Sequence, residues 1–305
     1  MKVSIVIPNY NGEALLKKNL PNILESECDE VIVLDDYSKD KSIEVLEKLK
    51  SQNTRLAKQV NLKILIHKKN KGFIPSVNEL FETASGDIVV LLNNDVFVEK
   101  DFIKPLHKHF ENPKTFAVNL HEKGEGPSNA FWKNGFFEFK RGEEKNVVQK
   151  SSWASGGSAA YRKSIWQNLG GFDKLFAPFY WEDTDISFRA IKKRFEILWE
   201  PDSRVYHEHE TTIKKLNRRY VKWVQERNQL LFIWKNITDS ELKKEHKIGL
   251  LKRLFTKGSG YWIPFFWALI NVILNGVKRS DESLTNVRNH MDNIPDMEAI
   301  NYANT

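Results

Sequence analysis

The chain has 305 residues and a mass of 35.6 kDa, is 41% hydrophobic and 29% charged, and carries a formal net charge of +7. This is the composition of a soluble globular protein with one large or two closely packed domains, and its positive charge favours nucleotide phosphates, anionic lipid or nucleic acid as partners. Cys28 is the only cysteine, which excludes a disulfide framework and a cysteine-based zinc site. The apolar run at residues 3–7 is too short for a signal peptide, so we expect a cytoplasmic protein.

Four apolar runs of strand length alternate with helical patterns in the first part of the chain. We expect strands at residues 3–7, 31–34, 62–66 and 88–92, and helices at 13–25, 42–50 and 77–84. Pro21 is a fault inside the first of these helices. The alternation predicts an α/β fold with a parallel sheet built from right-handed crossovers.

Each predicted strand ends in polar or small residues, namely Pro8-Asn9, Asp35-Asp36, Asn70-Lys71-Gly72 and Asn93-Asn94-Asp95. Any one of them is also a common turn, but together at one edge of a sheet they indicate a nucleotide site. There, Asp36 can accept hydrogen bonds from a base or ribose, the backbone at Pro8 can line the base, and Gly72 permits close backbone approach. Helix capping is the alternative for one of the two aspartates.

Asp95 follows the most apolar of these strands and is predicted to face the crevice at the strand end. A carboxylate in that position suits Mg²⁺ or Mn²⁺ that carries substrate phosphates, and an Asn/Asp turn is the alternative. No G-x-G-x-x-G follows the first strand, and the chain has no G-x-x-x-x-G-K-[ST]. These absences disfavour a dinucleotide enzyme and a P-loop kinase or ATPase.

The pattern changes beyond about residue 116. Residues 121–150 predict a loop-rich excursion with a hairpin strand at 136–139, and the small residues around Gly157 serve either a second ligand or close packing. A helix that begins near Asp183 would hold Trp181, Glu182 and Asp183 at its N-terminus, where carboxylates are stabilised as anions. An ionised carboxylate among aromatic side chains is a candidate general base, and ordinary N-capping is the alternative.

The last third contains a histidine pair and a strongly apolar segment. His207 and His209 alternate with glutamates, and such a pair on one strand face can bind a divalent metal, although it is more often structural. A helix is expected at 220–235. Residues 260–274 are apolar with basic flanks, too short to span a membrane and interrupted by Pro264 and Asn271, which favours an interfacial helix over a buried packing helix. Residues 281–305 lack periodicity and predict a weakly ordered tail.

The ordered series V-S-I-V-I-P-N-Y-N-G, V-I-V-L-D-D-Y-S-K-D, N-K-G-F, G-D-I-V-V-L-L-N-N-D and G-G-F-D…W-E-D-T-D resembles the family 2 inverting glycosyltransferases, most closely their rhamnosyl- and galactofuranosyltransferase-like branch. The resemblance covers about residues 3–235. It implies a GT-A fold, with a mostly parallel central sheet flanked by helices and a C-terminal helical extension. The corresponding regions are a nucleotide-sugar-binding half at 1–118, an acceptor-binding and catalytic half at 119–215, a helical, membrane-interfacial extension at 216–280 and the tail at 281–305.

The resemblance also implies roles for individual residues. Asp183 stands at the position of the catalytic base. Asn93-Asn94-Asp95 stands where the family has its D-x-D motif and keeps only the last acid, so Asp95 is the expected principal metal ligand, with His207 at the position of a metal-binding histidine. The donor-site candidates are Pro8, Asn11, Asp36, Gly72 and Asn94, and the acceptor-side candidates are Gly157, Trp181 and Glu182.

The implied function is inverting transfer of a sugar from a nucleotide-diphosphate sugar to a hydroxyl of a glycan or lipid-linked glycan. We expect Mg²⁺ or Mn²⁺ as cofactor, a role in cell-surface polysaccharide synthesis, and peripheral contact with the inner face of the cytoplasmic membrane. A sugar nucleotidyltransferase is an alternative, which the missing Gly-rich phosphate loop disfavours. A nucleic-acid-binding protein is another, but lysine and arginine are spread along the chain instead of clustering around aromatics, so no nucleic-acid partner is expected.

Overall fold

The computed structural model describes residues 1–53, 60–207, 216–275 and 293–304. Its strands are β1 Val3–Asn9, β2 Glu30–Asp35, β3 Asn61–Ile66, β4 Ile88–Leu92, β5 Val96–Val98, β6 Thr115–Glu122, β7 Ser128–Lys133, β8 Phe136–Arg141, β9 Gln149–Lys150, β10 Ser158–Arg162 and β11 Glu196–His207. Its α-helices are α1 Glu13–Leu24, α2 Ser42–Asn53, α3 Phe73–Thr83, α4 Lys163–Asn168, α5 Glu182–Lys192, α6 Arg218–Asn236, α7 Ser240–Thr256, α8 Ser259–Asn275 and α9 Asp296–Ile300. Short 3₁₀ segments cover Lys104–Glu111, Lys174–Phe176 and Tyr302–Asn304.

The central sheet has the strand order β3-β2-β1-β4-β10-β6-β11-β5, with β9 paired to β11. The first four strands in this order are parallel, as the alternating pattern predicts. Strand β10 runs antiparallel between β4 and β6. The sheet is mixed there because the chain between β6 and β10 forms the β7–β8 hairpin instead of a crossover helix, which a parallel connection needs.

Apolar side chains of the sheet alternate between two cores. On β1, Val3, Ile5 and Ile7 join the core covered by α1 and α2, whereas Val6 joins the core covered by α3, α5 and α6. All five residues of β4 are buried, as expected for a strand covered on both faces. Burial of this strand fixes the position of the polar turn that follows it.

Two of the predicted helices contain residues that are unfavourable inside a helix. Helix α1 contains Pro21, and α8 contains both Pro264 and Asn271. The amide of Asn271 donates to the carbonyl of Trp267 within the helix. Each proline removes one backbone hydrogen bond, but packing of the helix on its neighbours outweighs that local cost.

The C-terminal residues 293–304 pack on the domain, which differs from the weakly ordered tail expected for 281–305; residues 281–292 lie outside the described part. Asp296 accepts hydrogen bonds from the backbone amides of Thr238 (2.6 Å) and Asp239 (2.7 Å), just before α7, and from Lys192 of α5 (2.5 Å). Ile300 is buried. These contacts join residues more than fifty positions apart, so no local periodicity indicates them.

Candidate active site

The ends of β1, β2 and β3 form one edge of the site, here called the donor edge, which carries Pro8, Asn11, Asp36 and Gly72. Asp36 is buried, and its carboxylate accepts hydrogen bonds from the backbone amides of Lys71 (2.8 Å) and Gly72 (2.7 Å) and contacts His67 Nδ1 (2.6 Å). Gly72 has φ +88°, a conformation that favours glycine, and the side of Gly72 where a Cβ would project is open. Asp36 therefore holds the 70–72 loop in place at this edge.

The asparagines of the donor edge are also tied to the chain. Asn94 donates to the side chain of Asn9 (2.8 Å), which in turn donates to Asp35 (2.8 Å). The side chain of Asn11 accepts from the backbone amide of Lys39 (2.7 Å). The structure thus brings the predicted donor residues to one edge of the sheet, and their contacts with a nucleotide stay predictions.

Asp95 and His207 form a second group, here called the metal corner. Asp95 lies in the turn between β4 and β5, and β5 pairs with β11 so that Val96 is opposite His207. This register places His207 Nε2 2.9 Å from Asp95 Oδ1. Burial alone would lower the pKa of His207, but its contacts with Asp95 and Glu122 raise the pKa to about 9. His209 lies outside the described residues.

The metal corner fits a divalent cation that is bound together with a substrate. Mg²⁺ and Mn²⁺ are commonly held by one or two protein ligands plus substrate phosphates and water, and Mn²⁺ accepts both carboxylate and imidazole donors. Asp95 and His207 supply such a pair. Within the described residues there is no group of three or more acidic, histidine or cysteine side chains that could hold an ion by itself. The remaining ligands would therefore come from the diphosphate and water.

Glu182 and Asp183, at the N-terminus of α5, form a third group, here called the carboxylate corner. Tyr180 and Trp181 precede it with φ of +69° and +77°. Two successive non-glycine residues in this region are strained and are held by their surroundings. Asn228 of α6 supplies that support because its amide donates to the carbonyls of Phe179 (3.0 Å) and Tyr180 (2.8 Å).

Burial raises the pKa of Asp183, although its carboxylate accepts hydrogen bonds from the amides of Thr184 (2.7 Å) and Gly156 (3.2 Å). Burial and then the charge of Asp183 raise the pKa of Glu182 well above its usual range. Oε2 of Glu182 is buried and has no hydrogen-bond partner within the described residues. A carboxylate with a raised pKa holds a proton more strongly than an ordinary carboxylate and is suited to accept one.

The metal corner and the carboxylate corner meet at Gly156 and Gly157. A Cβ added to Gly157 would lie 2.3 Å from Asn93 Nδ2 and 3.3 Å from His207 Cε1, and a Cβ added to Gly156 would lie 3.5 Å from Asp183 Oδ2. Consecutive Cα atoms are about 3.8 Å apart, so both corners lie beside the same peptide unit. Close packing against Asn93 and His207 is a sufficient reason for glycine at position 157.

The model of "Glycosyl transferase family 2" matches residues 4–170, and that of "Glycosyl transferase family group 2" matches residues 88–285. The chain belongs to glycosyl transferase family 2. Among curated relatives it is 29% identical to the uncharacterized glycosyltransferase YfnE of Bacillus subtilis, over 68% of this chain and 50% of YfnE. It is 24% identical to the O-antigen chain rhamnosyltransferase RfbN of Salmonella typhimurium, over 72% of this chain and 70% of RfbN. The chain thus spans about half the length of YfnE.

A solved structure of GalNAc-T7 with UDP, GalNAc and Mn²⁺ superposes with a TM-score of 0.63, at 18% identity over 86% of this chain and 57% of that chain. This likeness confirms the GT-A fold expected of a family 2 member. The resemblance seen in the sequence is confirmed by the family model and by the fold.

Two functional groupings in this family 2 chain were missed from the sequence. Glu122, which contacts His207, ends a strand whose sequence N-L-H-E gives no catalytic signal. Lys235 forms ion pairs with Asp173 (2.7 Å) and Asp185 (2.8 Å), which fastens α6 to α5 behind the carboxylate corner. The only local signal for the ion pairs of Lys235 is the presence of this lysine in an otherwise apolar segment of α6.

Proposed function

We propose that this family 2 protein is an inverting glycosyltransferase that moves a sugar from a nucleoside-diphosphate sugar to a hydroxyl of a glycan or lipid-linked glycan. The observation that carries the proposal is the meeting of the metal corner and the carboxylate corner across Gly156 and Gly157. A diphosphate at Asp95 would place its sugar next to Asp183. The family membership favours glycosyl transfer over the nucleotidyl transfer and nucleic-acid binding considered as alternatives.

In the proposed reaction, Asp183 accepts the proton of the acceptor hydroxyl. The acceptor oxygen forms a bond to the anomeric carbon as the bond between that carbon and the phosphate oxygen breaks on the opposite face. The nucleoside diphosphate leaves with the bonding electrons, and the anomeric configuration is inverted in one displacement. The raised pKa of Asp183 supports this role because a carboxylate with a higher pKa is a stronger base.

Asp95 and His207 are the proposed protein ligands of Mg²⁺ or Mn²⁺, which when bound would offset negative charge on the leaving diphosphate. At the donor edge, the backbone at Pro8 and the 70–72 loop held by Asp36 would contact the base. Glu182 and Trp181 would line the acceptor side. Trp181 packs on Phe137 and Phe232 beside Asp183, and the buried Oε2 of Glu182 has no hydrogen-bond partner in the part of the chain that the structure describes. The rhamnosyltransferase name of RfbN supports a role in cell-surface polysaccharide synthesis.

A thermal-denaturation screen with UDP, dTDP, GDP and ADP, each with and without Mn²⁺, tests the proposal. We expect one nucleotide to raise the melting temperature, and Mn²⁺ to increase that shift, because a ligand of the native state stabilises it in proportion to its affinity and concentration. The same screen on Asp95→Ala is the control and should show no Mn²⁺ dependence. No shift with any nucleotide in the wild-type protein would contradict the proposal.

We further propose that α7 and α8 bind peripherally to the inner face of the cytoplasmic membrane. One side of α8 is buried at Tyr261 and Ala268, whereas Phe255 of α7 is 82% exposed and Ile273 of α8 is 71% exposed. Lysines at positions 243, 244, 247 and 252 add positive charge along α7. Apolar side chains beside lysines favour binding to a surface of anionic lipid. Within the described residues no helix has the length and hydropathy to cross a bilayer.

Sedimentation with vesicles of phosphatidylglycerol and phosphatidylcholine tests the membrane proposal. We expect binding to the anionic vesicles, and Phe255→Asp together with Ile273→Asp should release the protein into the supernatant. Val147→Asp is a matched control because Val147 is 58% exposed in a loop outside these helices. Equal binding of the double variant and the control would contradict the assignment of this surface.

A further inference from the structure

Glu122 is the last residue of β6 and lies beside Val205 in the parallel pairing with β11. Side chains two residues apart on a strand project to the same face of the sheet. The side chain of His207 therefore lies on the same face as those of Val205 and Glu122. The contact is a direct one, with His207 Nδ1 3.2 Å from Glu122 Oε1. The chain thus places a carboxylate on the ring nitrogen of His207 that faces away from Asp95.

The carboxylate of Glu122 is itself held in place. It is buried, and the hydroxyl of Ser158 on β10 donates to the same Oε1 atom. Ser158 Oγ also lies 3.1 Å from Ser155 Oγ in the loop that leads to Gly156 and Gly157. Three strands therefore fix the position of the Glu122 oxygen that meets His207.

We propose that Glu122 is a positioning residue for the metal site, which holds His207 with its proton on Nδ1 and presents Nε2 to the ion. A histidine that ligates a metal commonly donates its other N–H to a carboxylate, which fixes both the tautomer and the orientation of the ring. Here Nδ1 meets Glu122, and Nε2 is the atom 2.9 Å from Asp95. The inference rests on the proposed function, since it concerns the proposed ligand His207, but no part of the family resemblance indicates Glu122.

Another buried glutamate on the same sheet, Glu200, serves as a control for Glu122. Glu200 of β11 is buried and contacts both His109 and Lys108 of the 3₁₀ segment, where it joins two elements of the fold. Neither of those partners is a proposed ligand or a candidate site residue. Loss of Glu200 should reduce the stability of the fold without changing the metal site, whereas loss of Glu122 should change the metal site itself.

The test measures Mn²⁺ affinity by electron paramagnetic resonance in the presence of whichever of UDP, dTDP, GDP or ADP stabilises the protein. We expect Glu122→Ala to weaken Mn²⁺ binding by about 10- to 100-fold, as is usual when the partner of a metal-bound histidine is removed. Glu122→Gln should recover most of the affinity because its amide oxygen can still accept from Nδ1–H. Glu200→Ala should bind Mn²⁺ as tightly as the wild-type protein.

Nitrogen-15 spectra of the histidines in the wild-type protein with Mg²⁺ and the same nucleotide give a second readout, which does not depend on a variant folding. We expect the Nδ1 atom of His207 to carry the proton. A proton on Nε2, or wild-type affinity in a folded Glu122→Ala protein, would overturn the positioning role. Equal losses in Glu122→Ala and Glu122→Gln would instead make Glu122 a direct ligand and would also overturn it. Binding of nucleotide but not of Mn²⁺ by the wild-type protein would overturn the metal site while leaving the proposed transferase intact.

Discussion

The donor edge and the carboxylate corner differ in how their acidic side chains are surrounded. At the donor edge the Asp36 carboxylate meets two backbone amides and His67. At the carboxylate corner, burial raises the pKa values of Glu182 and Asp183, and one oxygen of Glu182 has no hydrogen-bond partner within the described residues. The carboxylate at the donor edge fixes a loop, whereas the carboxylates of the second group have raised pKa values, which suits the proposed proton transfer.

The same contrast occurs within helix α5. Asp185 lies two residues beyond Asp183, and burial would raise its pKa too, but Arg189 and Lys235 hold that pKa below its usual range. Two cations in direct contact lower the pKa of Asp185, whereas burial is the largest influence on the pKa of Asp183 and raises it. We therefore predict that replacing Asp183, which has a raised pKa, affects turnover, whereas replacing the ion-paired Asp185 affects stability.

The largest expected effect is on turnover in Asp183→Asn. Loss of a positioned general base typically slows a reaction by about 10²- to 10⁴-fold, and asparagine keeps the size of the side chain. We expect a loss of this size in the rate of sugar transfer, with nucleotide affinity by calorimetry unchanged. A folded Asp183→Asn protein that transfers sugar at the wild-type rate would remove Asp183 from the mechanism.

Asp185→Asn should reduce stability instead. Its carboxylate meets Arg189 (2.9 Å) and Lys235 (2.8 Å), and removing one partner of a buried ion pair typically costs about 3–5 kcal/mol. Urea denaturation measures the loss. Glu182→Gln is the matched control in the same helix. Its free energy of unfolding should stay within about 1 kcal/mol of wild type, because no cation in the described part of the chain shifts the pKa of Glu182. Equal destabilisation by both substitutions would refute the contrast within α5.

Asp95→Ala should remove the Mn²⁺-dependent part of nucleotide affinity, a loss of at least about tenfold if Asp95 is the principal ligand. Asn94→Ala is the neighbouring control for the Mn²⁺ effect. It removes the contact with Asn9, at a cost in stability of about 1 kcal/mol, and should keep the Mn²⁺-dependent part of the nucleotide affinity. Calorimetric titration with and without Mn²⁺ measures the affinities. If Asn94→Ala loses the Mn²⁺ effect and Asp95→Ala keeps it, the metal corner is wrongly placed.

A further prediction concerns acid stability at the start of β2, the end of the strand opposite the donor edge. Burial would raise the pKa of Glu30, but contacts with Lys63, Ser4 and Ser85 lower it to about 2. Its stabilising contribution is therefore present above the unfolded value of 4.5 and is lost as the pH falls toward 2. The ion pair with the partly exposed Lys63 is screened by solvent, which reduces the expected effect. Between pH 5 and pH 2.5, the free energy of unfolding should fall by about 2 kcal/mol more in the wild-type protein than in Glu30→Gln. Urea denaturation at the two pH values measures this difference. Parallel pH curves would contradict this.

Local patterns in the sequence predicted much of the fold and the site. The apolar runs predicted strands β1 to β4, and the polar residues after them predicted the donor edge and the position of Asp95 at a strand end. The W-E-D-T-D stretch predicted the start of α5. What the patterns could not show are contacts between distant segments. Glu122 meets His207 85 positions later, and Asp296 caps the start of α7 57 positions earlier. The helices that contain Pro21 and Pro264 were predicted despite these prolines and are present in the structure.

The central claim is a single displacement in which Asp183 removes the proton of the acceptor. Proton NMR of the transferred sugar tests it most directly, with the nucleoside-diphosphate sugar whose nucleotide stabilises the protein and an acceptor glycan or lipid-linked glycan. We predict that the anomeric coupling constant of the first glycoside formed shows the configuration opposite to that of the donor. A product that retains the donor configuration would contradict the account, because retention requires a second displacement or a different mechanism.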